Sequence, residues 1–394
     1  MALLSQSMAV IVMNIRSLPR RFWMSAAMVI ASAVVVAILL AFLAMAKGFE
    51  TTLKSAGAED VAFFLRVSSA AELNSTVMND QVNLLRNAPG IVANDKGPMV
   101  SPELYVIVDG IKKTSQTKAN IPLRGLGEQG VRLRENFTLL KGRMFTPGTH
   151  ELIVGQGLLG QFDGFELGNT LNFGKNRWTV VGVFSTAGNV FESELWADAR
   201  VIQSLYNRGS SYQSVRDKLS SPQQIEGIKA YIENDPRLNQ VVQSEASYFA
   251  EQGKSLSYIA IFGRVISTVM ALGALAGALN TMFTSVADRA TEIATLRAIG
   301  FSHLSAFVGT MAEALVLSVL GGLLGSLAAY LFFDGLSTST LGGSFTQVVF
   351  TFQLSGNLFM QGALMALIIG FVSGVFPAWR AARVPVAVAF QARR

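Results

Sequence analysis

Residue types that do chemistry are scarce in this sequence. It has no cysteine, which excludes both a disulfide framework and a thiolate metal site. Its two histidines, His150 and His303, lie far apart in the chain, so an imidazole-based metal centre is not expected. Ser/His/Asp catalysis would have to use His150, and no nucleophile-elbow pattern accompanies it. Two glycine patterns come closer to a site. Gly125-Leu-Gly127-Glu-Gln-Gly130 has dinucleotide spacing, but that fingerprint must open a helix inside a βαβ unit. The residues that follow, Val-Arg-Leu-Arg-Glu-Asn, have too little apolar face for one, so a turn after a strand is expected. Gly253-Lys254-Ser255 ends like a phosphate-binding loop, yet the position that needs its first glycine is Tyr248. No catalytic, cofactor-binding or metal-ligating residue is assigned.

Hydropathy sets the elements that carry any function. Of 394 residues, 51% are hydrophobic and only 15% charged, against about 25% charged in a soluble domain. Part of the chain therefore faces something other than water. A span takes about 20 apolar residues, and the stretches 24–46, 256–286, 306–333 and 358–379 qualify. The first ends in Ala44-Met45-Ala46 behind a basic start, like a secretory signal, but its apolar run exceeds the roughly 7–15 residues of a signal core. An uncleaved span is expected.

Arg16, Arg20 and Arg21 precede the first span, and Arg380, Arg383, Arg393 and Arg394 follow the fourth, all without acids. The loop 334–357 has no Lys or Arg. By the positive-inside rule both termini are cytoplasmic, which puts 47–255 and 334–357 outside and 287–305 inside. These flanks account for the net charge of +6, so membrane lipid, and not nucleic acid, is the expected partner. Residues 1–23 read as an elbow helix along the cytoplasmic interface, and 380–394 as a cytoplasmic tail.

The fold class is an α-helical membrane protein with four transmembrane helices and a large α+β extracytoplasmic domain at 47–255. Strand-like runs in that domain are Val61–Val67, Leu104–Val108, Asn120–Arg124, Glu151–Val154, Thr170–Phe173 and Trp178–Phe184, punctuated by Gly, Pro and Asn. Helix-like runs are Asn79–Asn87, Gln156–Phe162, Ala197–Tyr206 and Pro222–Asn234, the last with Ser221 as its expected N-cap.

The inside loop places Arg289, Glu292, Leu296 and Gly300 at helical spacing, with Ile293 and Leu296 as a small apolar edge and Gly300 as a natural C-cap. On residue chemistry this is either a short helix that docks into a partner's groove or a solvated turn between spans. The stretch Asp288-Arg-Ala-Thr-Glu-Ile-Ala-Thr-Leu-Arg-Ala-Ile-Gly300 resembles the signature of MacB/FtsX-type ABC permeases, roughly "R-x-x-E-I-G-x-L-R-A-I-G". It matches at Arg289, Glu292, Ile293, Leu296, Arg297, Ala298, Ile299 and Gly300, with Ala294 in place of the usual glycine. The close at Phe376-Pro-Ala-Trp-Arg-Ala-Ala-Arg-Val-Pro also resembles the family's, with Phe390-Gln391 where Leu-Arg is usual. Leu140-Lys-Gly-Arg-Met-Phe through Val180-Val-Gly-Val183 is similar to that family's outer domain.

The resemblance implies a non-catalytic, inner-membrane permease of the four-span mechanotransmission type, with 256–394 as its FtsX-like portion. It would work with a separate cytoplasmic ABC ATPase dimer, a second permease chain (identical or a sister) and, for an exporter, a periplasmic adaptor. The ATPase-coupling residues would be Arg289, Glu292, Ile293, Leu296, Arg297, Ala298 and Gly300. Export or extraction of a substrate from the periplasm or outer leaflet is the leading expectation. An FtsX-like regulator of a cell-wall hydrolase is the alternative, disfavoured by the size of the outer domain. Helix packing is expected at the small-residue pairs Gly273/Gly277, Gly321/Gly325 and Gly370/Gly374. Arg264 and Glu313 are charges inside apolar stretches and thus candidates for function.

Overall fold

The computed structural model describes residues 2–254, 257–342 and 346–383. Ser255, Leu256, Arg393, Arg394 and the proline-containing close beyond Arg383 lie outside the described residues. The helices in chain order are α1 (Ala2–Ser17), α2 (Phe22–Lys54), α3 (Asn79–Leu85), α4 (Glu128–Arg132), α5 (Gln156–Gln161), α6 (Ala199–Leu205), α7 (Gln224–Asn234), α8 (Glu245–Lys254), α9 (Ser257–Asp288), α10 (Ala290–Ala298), α11 (His303–Phe333) and α12 (Gly356–Ala382). Four helical stretches are long and apolar enough to cross a bilayer, and they contain α2, α9, α11 and α12. The chain divides into two compact units: residues 1–47, 258–336 and 352–394, and residues 48–257 with 337–351.

In the first unit, small residues let helix backbones approach where lipid removes the hydrophobic drive. A side chain at Gly321 or Gly325 of α11 would collide with the carbonyls of Val29 and Ala33 on α2. Gly370 and Gly374 of α12 lie against Ser318 and Ala314 of α11 in the same way. Gly309 sits against Val10 of α1, and Gly263 of α9 against Phe42 of α2. Gly273 and Gly277 meet nothing within 4 Å among the described residues. The outward faces carry large apolar side chains such as Phe262, Leu272, Leu331 and Phe371, each more than half exposed. A water-facing helix would not present such a continuous apolar surface.

The second unit is built on a mixed ten-stranded sheet. The strand order is Gln240–Ser244, Val61–Arg66, Ser214–Lys218, Val100–Ile111, Lys118–Leu126, Leu195–Asp198, Glu151–Gly155, Asn176–Ser185 and Thr138–Gly142, with Thr170–Phe173 paired onto Asn176–Ser185. One apolar core contains Phe64, Val82, Leu85, Val215 and Ile228, under α3 and α7. The other contains Leu123, Val154, Phe162, Trp178 and Ile202, beside α5 and α6.

The structure departs from the sequence expectation at several elements. Residues 197 and 198, expected as helix, end the strand Leu195–Asp198, which runs parallel to 118–126 and antiparallel to 151–155. Both faces of that strand are buried, so its side chains carry no alternation to read. Asp198 then caps α6 by accepting from Arg200 N–H. The helix expected from Pro222 starts at Gln224, with Gln223 and not Ser221 at its N-cap. A five-residue helix, α4, starts at Glu128 inside the Gly125–Gly130 pattern, where a turn was expected. The loop 334–357 holds an antiparallel hairpin, Ser337–Leu341 with Gln347–Thr351.

Candidate functional site

The stretch between α9 and α11 turns on Arg289. It is the N-cap of α10 and is only 4% exposed. Its Nη1 donates to Glu313 Oε2 of α11 at 3.0 Å and its Nε to Glu292 Oε2 at 3.3 Å. Its Nη2 donates to Asn14 Oδ1 of α1. Ser285 Oγ, at the end of α9, donates to the other oxygen of Glu313 at 3.4 Å. Arg21, just before α2, donates from Nη1 to Ser285 Oγ and its carbonyl at 2.7 and 3.0 Å. A buried carboxylate costs too much to leave alone, so Glu313 persists because Arg289 and Ser285 satisfy it. The result is one polar joint holding α1, the start of α2, the end of α9, the start of α10, and α11.

Ile293 and Leu296 are half-buried and, with Val10, Met13 and Phe301, line a cavity of about 20 Å³ beside that joint. The open face of α10 is Glu292, Thr295 and Ala298, continued by Ile299, which is 69% exposed. Gly300 has φ +102°, the left-handed C′ position. Phe301 N–H bonds back to Leu296 O and Gly300 N–H to Arg297 O, which ends the helix in a Schellman turn. Arg297 Nη2 meets His303 Nε2 at 3.2 Å, and His303 Nδ1 meets the Ala382 carbonyl at the end of α12 at 2.6 Å. Nδ1 must donate there, which leaves Nε2 as the acceptor for Arg297. Arg264 lies exposed on α9, with no side-chain partner among the described residues. Sequence reasoning missed Asn14, Arg21 and Ser285. The one available signal was Asn14, a polar residue inside the apolar run of α1.

The large domain holds a second buried polar cluster. Arg124 forks onto Glu194 through Nε and Nη2, both at 2.7 Å, and its Nη1 donates to Glu72 at 2.6 Å and Glu103 at 2.9 Å. Arg216 Nη1 donates to Glu103 at 2.7 Å, and its Nε to Glu245, the first residue of α8, at 2.8 Å. Arg134 completes the set on Glu103 and stacks over Phe191 at 4.7 Å. Burial raises the Glu103 carboxyl, but the guanidiniums of Arg134, Arg216 and Arg124 outweigh it and hold the group at about 2. Burial likewise raises Glu72, and Arg124 and Arg216 hold it well below the usual carboxylate range. These residues come from both halves of the sheet, so the cluster staples the two apolar cores to each other and to α8.

The profile of the MacB-like periplasmic core domain matches residues 24–235, more than half of the chain. That of the FtsX-like permease C-terminal domain matches 264–386. The chain belongs to the MacB/FtsX-type ABC permeases. This permease is 27% identical over 316 residues to the macrolide export ATP-binding/permease protein MacB of Sodalis glossinidius, covering 72% of this chain and 45% of that one. It is 36% identical over 107 residues to the MacB of Bdellovibrio bacteriovorus, covering 27% of this chain and 15% of that one. The permease thus spans less than half the length of the curated relatives it matches. Among solved structures, the periplasmic region of MacB from Actinobacillus actinomycetemcomitans aligns at 17% identity, covering 50% of this chain and 92% of that one, with a TM-score of 0.36. Ser285, Arg289, Glu292 and Glu313 of the joint, with α10–α12, fall inside the FtsX-like match, whereas Asn14 and Arg21 lie outside it. Among the acidic members of the large domain's cluster, Glu72, Glu103 and Glu194 fall inside the MacB-like match, and Glu245 just beyond it.

Proposed function

We propose that this permease couples ATP hydrolysis by a separate cytoplasmic ABC ATPase to movement of its large outer domain, driving export or extraction of a substrate. In this reading both termini and α10 face the cytoplasm, and the ATPase docks on the open face of α10. The observation that carries it is the Arg289 joint. A docking helix that merely floated between spans would transmit nothing, whereas α10 is tied through a buried ion pair to α11 and through Asn14 to α1. The exposed Gly273/Gly277 face of α9 is left for a second permease chain.

Ile299 is the outward apolar residue of this stretch, so Ile299→Asp places an unpaired carboxylate in the docking groove. Such burial costs several kcal/mol, and a few anchors carry most interface energy. The test is co-purification of the ATPase with the chain from its own cells. Ile299→Asp lowers the captured ATPase by roughly tenfold or more, equivalent to about 1.4 kcal/mol. Leu167→Asp, at an exposed site on the large domain, leaves it unchanged. Equal capture by wild type and Ile299→Asp refutes docking at α10.

A further inference from the structure

The hairpin between α11 and α12 is not a free connection, because its chain folds with the large domain. Val348, Val349 and Phe350 are buried, and Val349 belongs to the core that holds Leu123 and Trp178. Ser193 Oγ accepts from Val349 N–H at 2.8 Å. Thr346 Oγ1 and the buried Tyr105 hydroxyl share a hydrogen bond at 3.1 Å. Phe350 meets Phe49 edge to face with centroids 5.4 Å apart, and Gln161 Nε2 donates to Ser337 O at 3.0 Å. Below the hairpin, the chains leading to the two helices stay paired: Phe352 N–H bonds to Leu336 O, Gly335 N–H bonds to Phe352 O, and Phe333 stacks on Phe352.

We propose that this hairpin is a further drive link, which stays docked through the ATP cycle and carries movement of α11 and α12 into the large domain, in addition to the chain connections at α2 and at α8 and α9. The inference rests on the coupling role proposed above and adds where its output is delivered. Three features favour it. The link is short, paired along its two described strands and anchored in a core rather than on a surface. Its contacts include backbone hydrogen bonds and aromatic packing, which resist sliding. Glu313, which holds the Arg289 joint, lies on α11, the same helix that feeds the hairpin.

The chain has no cysteine, so an introduced pair is the sole disulfide it can form. A Cβ at Gly157 would lie 3.4 Å from Val349 Cβ, near the 3.5–4.5 Å range of disulfides. Gly157→Cys with Val349→Cys therefore locks the hairpin down when oxidised. Ser193→Ala with Thr346→Val loosens it without placing a charge in the core. Each form is purified with its ATPase, and hydrogen exchange of the strand Glu151–Gly155 is compared with and without ATP plus vanadate. The locked chain keeps the nucleotide-dependent change of the wild type, and the loosened chain loses at least half of it while still hydrolysing ATP. Loss of the change on oxidation, restored by reductant, means that the hairpin must undock and overturns the proposal. So does a full change in the loosened chain. A wild-type chain that captures no ATPase would instead sink the coupling role itself.

Discussion

Asp217 is fully buried, and neither carboxylate oxygen has a hydrogen-bond partner among the described residues. It lies in the strand Ser214–Lys218 directly between Ala62 and Val100 on the neighbouring strands, both members of an apolar core. Burial pushes its carboxyl well above the usual range, and only the charge of Arg86 opposes this. The folded domain thus holds Asp217 protonated, whereas the unfolded chain releases the proton above about pH 4. A raised acid pKa costs stability, and the cost grows as pH climbs above that unfolded value and vanishes below it. An unsatisfied buried polar group costs about 1–3 kcal/mol. At about 2–4 °C per kcal/mol for a domain of this size, Asp217→Val raises the melting temperature at pH 7 by roughly 4–8 °C for a gain near 2 kcal/mol. Asp217→Asn removes only the ionisation, so its gain is smaller and confined to pH above about 4. The assay is thermal unfolding of the purified chain by tryptophan fluorescence, since Trp178 and Trp196 are fully buried in this domain. A difference between Asp217→Asn and wild type that stays constant from pH 4 to pH 8 refutes the reasoning.

Arg124→Leu leaves Glu194, Glu72 and Glu103 short of donors, and it lowers domain stability by about 3–5 kcal/mol, read by the same melts. Glu103 is held at about 2, so its contribution is present above about pH 4 and is lost as pH falls toward 2; an acid titration of the melting temperature checks the sign. Gly325→Leu drives a side chain into the Ala33 carbonyl of α2 and reduces the yield of folded protein, as measured by monodispersity after extraction. Reporter fusions at Gly209 and Gly342 read extracytoplasmic, and those at Ser302 and Arg394 cytoplasmic; a cytoplasmic signal at Gly209 overturns the orientation.

Hydropathy alone determines the membrane-crossing helices, because a run of about 20 apolar residues has one stable fate in lipid and needs no partner to be recognised. Residue chemistry left a docking helix and a solvated turn both open for Arg289 to Gly300, but the end of α10 was legible too, since Gly300 at φ +102° ends the helix by local geometry. Bounds were less so, since α2 runs on to Lys54, beyond the expected end at Ala46, where Phe49 and Leu53 find cover. Pairings across the chain had no local trace. Arg216 meets Glu72 from 144 positions away, and Arg289 meets Asn14 from 275. The strand Ser214–Lys218 holds Arg216 and Asp217 fully buried, so it lacks the apolar run by which a central strand is read. The loop between α11 and α12 shows in the sequence only a lack of Lys and Arg, and packing onto Tyr105, Ser193 and Gly157 is what makes it part of a core. Local chemistry sets what each segment can be on its own, whereas a buried charge or a docked hairpin is stable only once distant residues supply its partners, and that is decided by the tertiary fold.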